Sequence, residues 1–219
     1  MSGKKFSMQE AVRFGWNTMK DNLGFLVMIL ILAFLIENLP GFIAGYVRDH
    51  FPFISYVLHI TGWLISFVVQ MGLIKISLKF CDGIKGQMDD LLSSFNLLIN
   101  FVAATFLYFL IILGGLVLLV IPGVIWAIKF NLFPYFIVEK GMGPVDALKA
   151  SSKATTGAKW DLLLFGLLLG LINVAGALFF VVGLFATIPT SMIAYAYVYR
   201  KLTAKEEKPA EGSYIGMGI

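Results

Sequence analysis

The strongest constraint on this chain is a series of apolar blocks, each about as long as a bilayer is thick. An α-helix rises 1.5 Å per residue, so roughly 20 apolar residues carry it across the hydrocarbon core of a membrane. Six blocks meet that length, at residues 22–43, 54–79, 97–120, 122–139, 160–181 and 184–201. With 59% hydrophobic and 14% charged residues, the chain lacks the polar surface of a soluble domain, in which about a quarter of the residues are charged. The fold class read from the sequence is therefore all-α, a polytopic integral membrane bundle of six transmembrane helices. Ile121-Pro122-Gly123 and Val182-Gly183 leave room only for tight turns, and short connections make neighbouring helices antiparallel. The six spans are thus expected as three hairpins.

Basic residues set the expected orientation. Lys4, Lys5, Arg13 and Lys20 precede the first span, and Lys75, Lys79 and Lys85 lie at the end of the second. Lys140, Lys149, Lys153 and Lys159 separate the fourth from the fifth, and Arg200, Lys201, Lys205 and Lys208 follow the sixth. The opposite turns carry only Arg48. By the positive-inside rule this predicts a multi-pass protein of the inner (cytoplasmic) membrane with both termini cytoplasmic. Tyr195, Tyr197, Tyr199 and Trp160 are expected in the interfacial belt on that side. The net charge of +4 is spread along the chain, which fits headgroup contact and gives no nucleic-acid surface.

Three segments are neither spans nor plain loops. Ser7–Lys20 opens with the capping-box pair Ser7 and Glu10 and places Met8, Val12, Gly15, Trp16 and Met19 at helical spacing. Gln87–Phe95 repeats this pattern on a smaller scale behind Asp89 and Asp90, and Gly143–Thr156 does so behind Pro144 and Asp146. Each is read as a cytoplasmic amphipathic helix lying on the membrane before a hairpin. The order of surface helix and two spans recurs over about residues 6–82, 86–140 and 143–202, a threefold internal repeat within one membrane domain, 1–202. Residues 203–219 read as a flexible cytoplasmic tail.

The run from Leu113 to Phe165 contains Pro122-Gly123, Lys129 one or two turns later, Glu139 at the inner end, and Ala147-Leu148-Lys149 with Ser151 before the next span. In this layout it resembles a group of prokaryotic six-span membrane proteins related to the membrane domain fused to some glycerophosphodiester phosphodiesterases. The likeness is best over the second half of the chain. It implies a membrane bundle and no chemistry, since the phosphodiesterase activity of the fused proteins belongs to a separate soluble domain.

The residues themselves point away from catalysis. His50 and His59 lie far in sequence from the single cysteine, Cys81, and no zinc spacing, Gly-x-Ser-x-Gly motif or phosphate loop is present. The expectation is a non-enzymatic protein with no metal and no cofactor. Gly41 and Gly45, and Gly166 and Gly170, carry the small-residue spacing of close helix packing, either inside the bundle or between copies. Lys75 and Lys79 are read as snorkelling to headgroups. Lys129 lies about seven residues beyond the Pro122 turn, roughly 10 Å below the outer boundary at 1.5 Å per residue. Glu37 and Asn173 fall at a similar depth when counted from their own helix ends. A lone intramembrane charge is costly, so Lys129, Glu37 and Asn173 are the candidate intramembrane polar layer, either a register-fixing pair or a ligand site. The role expected first is membrane-organising or accessory, with membrane lipids and a membrane or cytoplasmic protein as partners. The alternative is a small-molecule or lipid transporter, or its substrate-binding subunit.

Overall fold

The computed structural model describes residues 5–179 and 182–204, and every regular element among them is helical. The α-helices are α1 (Met8–Asp21), α2 (Leu23–Val47), α3 (Pro52–Cys81), α4 (Leu98–Leu118), α5 (Val120–Phe130), α6 (Phe133–Lys140), α7 (Pro144–Ala154), α8 (Lys159–Leu178) and α9 (Leu184–Ala204). Two 3-10 turns, Met88–Leu91 and Phe95–Leu97, connect α3 to α4. The tail expected over 203–219 starts later than expected, since Thr203 and Ala204 still belong to α9 and Thr203 is buried; residues 205–219 lie outside the described residues.

Five stretches are long and apolar enough to cross a membrane: α2, α3, Met88–Leu118, Val120–Lys140 and α8. At most 33% of the most apolar window of any of them is buried within the protein. Phe42, Phe53, Val117 and Leu171 point outward with more than half of their surface uncovered. Continuous apolar surface of this kind matches hydrocarbon rather than water, so the chain is a multi-pass membrane protein.

The sixth block, α9, is not among the five. Its hydropathy is lower because protein, not lipid, covers it. Ile193, Ala194, Ala196, Val198, Tyr199 and Leu202 are buried, and α9 packs on α1, α2, α3 and α8. This corrects the expected tyrosine belt: Tyr199 is fully buried and stacks on Tyr135 with ring centroids 5.1 Å apart, while Tyr197 stacks on Phe14 at 4.7 Å.

The three surface segments take three different forms. α1 begins where expected, with the Ser7 hydroxyl accepting the Glu10 backbone N–H at 3.3 Å. Its buried face, Ala11, Gly15 and Met19, rests on α9 and not on lipid. The two helices run antiparallel, since Gly15 meets Thr190 and Ala194 while Glu10 meets Tyr197 and Lys201. A methyl group on Gly15 would overlap the Thr190 carbonyl, so glycine is what permits this approach. The second segment is not an amphipathic helix; its first 3-10 turn presses Leu91 onto Gly72 of α3, with Asp90 and Leu91 buried. The third does form a helix, α7, but buries Ala147, Leu148, Ser151 and Ala154 against protein.

Turn glycines act as the sequence suggests. Leu119 is extended between α4 and α5, and Gly115 and Gly123 lie so close that a Cβ on Gly115 would be 2.8 Å from the Gly123 Cα. Gly176 and Gly183 do the same where α8 turns into α9.

Candidate functional site

Lys129 stands in the last turn of α5, where the helix ends at Phe130 and restarts as α6 at Phe133. Pro134 explains the break: it has no N–H to offer the carbonyl four residues earlier, and its ring crowds that carbonyl. A break frees backbone groups that need partners in a membrane. α7 supplies them. The Ser151 hydroxyl accepts the Leu132 N–H at 3.0 Å and donates to the Lys129 carbonyl at 3.1 Å, and the Thr155 hydroxyl donates to that same carbonyl at 2.9 Å. Ser151 and Thr155 are four residues apart, hence on one face of α7, and both are fully buried. The Tyr108 hydroxyl closes the arrangement from α4 by donating to the Ala127 carbonyl at 2.9 Å.

These bonds place the end of α5 beside α7 and undo the depth count that put Lys129 with Glu37. The candidate layer is not assembled. Glu37 belongs to α2, which packs chiefly on α3 and α9, whereas α5 packs on α4, α7 and α8. The Lys129 ammonium lies 5.1 Å from the centre of the Phe130 ring and has no carboxylate partner among the described residues. The Glu37 carboxyl likewise has no hydrogen-bond or ionic partner among them. The Asn173 amide donates to the Ser191 hydroxyl at 3.1 Å, tying α8 to α9 instead.

The packing glycines are corrected in the same way. A Cβ built on Gly41, Gly45, Gly166 or Gly170 would meet nothing within 4 Å, so none of the four mediates a helix contact inside the chain. The close approaches belong to Gly15, Gly72, Gly115 and Gly176, which lack the four-residue spacing with a second glycine in the sequence.

Polar chemistry is concentrated instead at one end of the bundle, where α3, α6 and α9 finish. Arg200 pairs with Asp82 at 2.6 Å and with Glu139, and Glu139 also accepts from the Tyr199 hydroxyl. Asp82, Glu139 and Arg200 thus pin the ends of three helices together. Lys79 donates to both oxygens of Asp90 at 2.6–2.7 Å, Lys75 stands 3.8 Å from the same carboxylate and donates to Ser93 at 2.8 Å, and the Gln87 N–H donates to Asp90 at 2.8 Å. Lys75 and Lys79 therefore anchor the connection to α4 rather than reaching only for headgroups. On the α1 side, the Tyr197 hydroxyl donates to Glu10 and Lys201 pairs with it at 3.4 Å; this hydrogen bond, then the lysine, hold the Glu10 carboxyl below its ordinary range. Arg200 counted only toward orientation and Asp90 only as a helix-start acid, and neither role says which partner a charge meets; Asp82 carried no signal of its own. Comparison with protein-family models, curated proteins and solved structures finds no match to this chain.

Proposed function

We propose that the chain is a six-span, non-enzymatic membrane protein with an organising or accessory role, in which α9 makes the sixth crossing and both termini face the cytoplasm. At 21 residues α9 reaches about 31 Å, enough for a bilayer, and a helix covered by neighbours needs less apolar surface than one bathed in lipid. The end that gathers Lys75, Lys79, Arg200 and Lys201 is the cytoplasmic one by the positive-inside rule. The likeness of Leu113–Phe165 to the membrane domain of glycerophosphodiester phosphodiesterases fits the same reading.

One observation carries the functional reading. The polar side chains pair helix ends, while Glu37, Lys129 and Asn173 sit on three different helices and make no bond to one another among the described residues. A transporter needs convergent polar groups around a substrate; an organising protein needs a rigid end and an apolar body that engages lipid. The test is affinity purification of the full chain from native membranes, with identification of co-purifying proteins and lipids. A stoichiometric protein or lipid companion is the expected result. Substrate accumulation by the purified chain alone in sealed vesicles would overturn it in favour of the transporter. Orientation is tested separately with a cysteine at the exposed Lys149 position in a Cys81→Ser background, since the native thiol is half-buried against the Ile193 carbonyl. An impermeant thiol reagent should label it in inverted vesicles only.

A further inference from the structure

Between α5 and α8 runs a groove of about 390 Å³, lined by Val124, Ile125, Ile128, Trp160, Leu163 and Lys159. Lys159 is its only charged lining residue, and Lys129 follows Ile128 directly. Both lysines belong to the same end of the groove, because Thr155, which bonds the Lys129 carbonyl, opens the short connection from α7 to α8 and Lys159 is the first residue of α8. Each is half-buried, and neither has a carboxylate partner among the described residues. Lys5 joins this corner by donating to the Thr156 carbonyl, and α7 adds the exposed Lys149 and Lys153. The acids nearby in sequence are Asp146, exposed at the start of α7, and the half-buried Asp161 on α8. Five lysines against two aspartates leave this corner positive.

A cation partly withdrawn from water beside hydrocarbon calls for a counter-charge, and the described residues provide none for Lys129 or Lys159. The membrane does. We propose that the α5–α8 groove is a binding site for an anionic phospholipid, whose phosphate lies between Lys129 and Lys159 with Trp160 at headgroup depth and whose acyl chain occupies the groove. Basic pockets between membrane helices are the ordinary setting for such headgroups. A larger groove between α3 and α4, about 860 Å³ and lined by Trp63, Phe67, Val102 and Phe106 among others, has no charged lining residue and provides the comparison. It offers an acyl chain the same apolar walls and a phosphate nothing. The proposal rests on the chain's membrane-spanning character and goes beyond it by naming a lipid class and a place.

The test uses two single-tryptophan forms of the full chain, one keeping Trp160 and the other Trp63, with the remaining tryptophans changed to Phe. Each is reconstituted into phosphatidylcholine vesicles containing a minority of phosphatidylglycerol, with dibrominated acyl chains on one lipid at a time as contact quenchers. Trp160 should be quenched several-fold more strongly by the brominated phosphatidylglycerol than its share of the bilayer accounts for. Trp63 should follow the share. Lys129→Gln with Lys159→Gln should bring Trp160 down to the share, and the paired Lys→Arg variant, checked for helicity by circular dichroism, should keep the preference. Lys149→Gln with Lys153→Gln should leave it unchanged. Absence of a preference at Trp160, or equal loss in the α7 pair, would overturn the site in favour of general surface attraction. Failure of either brominated lipid to quench either tryptophan would overturn the membrane placement itself.

Discussion

The two ends of this bundle solve the packing problem in opposite ways. At the basic end, α1, α3, α6, α7 and α9 meet through buried side chains, ion pairs and close glycine contacts. Through the apolar half, α2, α4 and α8 keep most of their side chains outward and share few partners with one another. Lipid tails are as apolar as leucine, so hydrocarbon gives helices little reason to collapse together, and association must come from close fit and polar bonds. Where the chain has those, it is a packed protein. Elsewhere it is a set of helices completed by lipid.

That contrast can be broken by adding the same methyl group to each region. Gly72→Ala at the basic end would drive a Cβ into the backbone of Leu91 and should cost about 3 kcal/mol, whereas Gly166→Ala, with nothing within 4 Å, should change stability by less than about 0.5 kcal/mol. Thermal unfolding of the two variants in one detergent reads the difference; equal effects would remove the distinction.

Next in size is the polar seam. Ser151→Ala with Thr155→Ala orphans the Lys129 carbonyl and the Leu132 N–H and should cost about 2 kcal/mol. Arg200→Met leaves Asp82 and Glu139 without their shared cation, and since all three side chains are partly exposed the cost should be about 1–2 kcal/mol. Lys129→Met, by contrast, should cost under about 1 kcal/mol, and its effect should add to that of Glu37→Gln instead of being rescued by it. A rescue in denaturant titrations of the double variant would restore the Lys129–Glu37 pair.

The smallest effect concerns Glu10. Because its folded carboxyl titrates below the ordinary range, its stabilising contribution is present above the unfolded value and is lost as pH falls through the folded one. The first turn of α1 should therefore gain amide exchange on acidification below about pH 4.5 while α3 does not, and Glu10→Gln should abolish that dependence. Exchange profiles that move together would tie α1 into the same cooperative unit as α3.

Five of the six expected spans were legible because bilayer thickness writes their length directly into the sequence, and the tight connections near Pro122-Gly123 and Val182-Gly183 were legible through glycine and proline chemistry, the first falling at Leu119. What failed shares one cause: each depended on knowing which helices touch. Lys129 was given its depth by counting along a straight helix, although Pro134, five residues later, marked the break, and Ser151 and Thr155 at helical spacing marked what would satisfy it. The four-residue glycine spacings matched a known pattern but faced outward. Gly15 and Gly72, with no such pattern around them, made the contacts. The stripe of α1 was expected to lie on the bilayer, whereas only Gly15 and Met19 of its five residues are buried, beside Ala11 and against a protein helix, and Trp16 stays exposed.

The seating of α1 on α9 has a consequence for how the chain is made. Glu10 and Tyr197 are bonded across 187 residues, and at about 5–20 residues per second a ribosome needs roughly 10–40 s to deliver the second after the first. Throughout that interval the Ala11–Gly15–Met19 face lacks its native partner, and it is covered only once α9 has emerged. Seating α1 is thus a step that no nascent chain lacking α9 can rehearse.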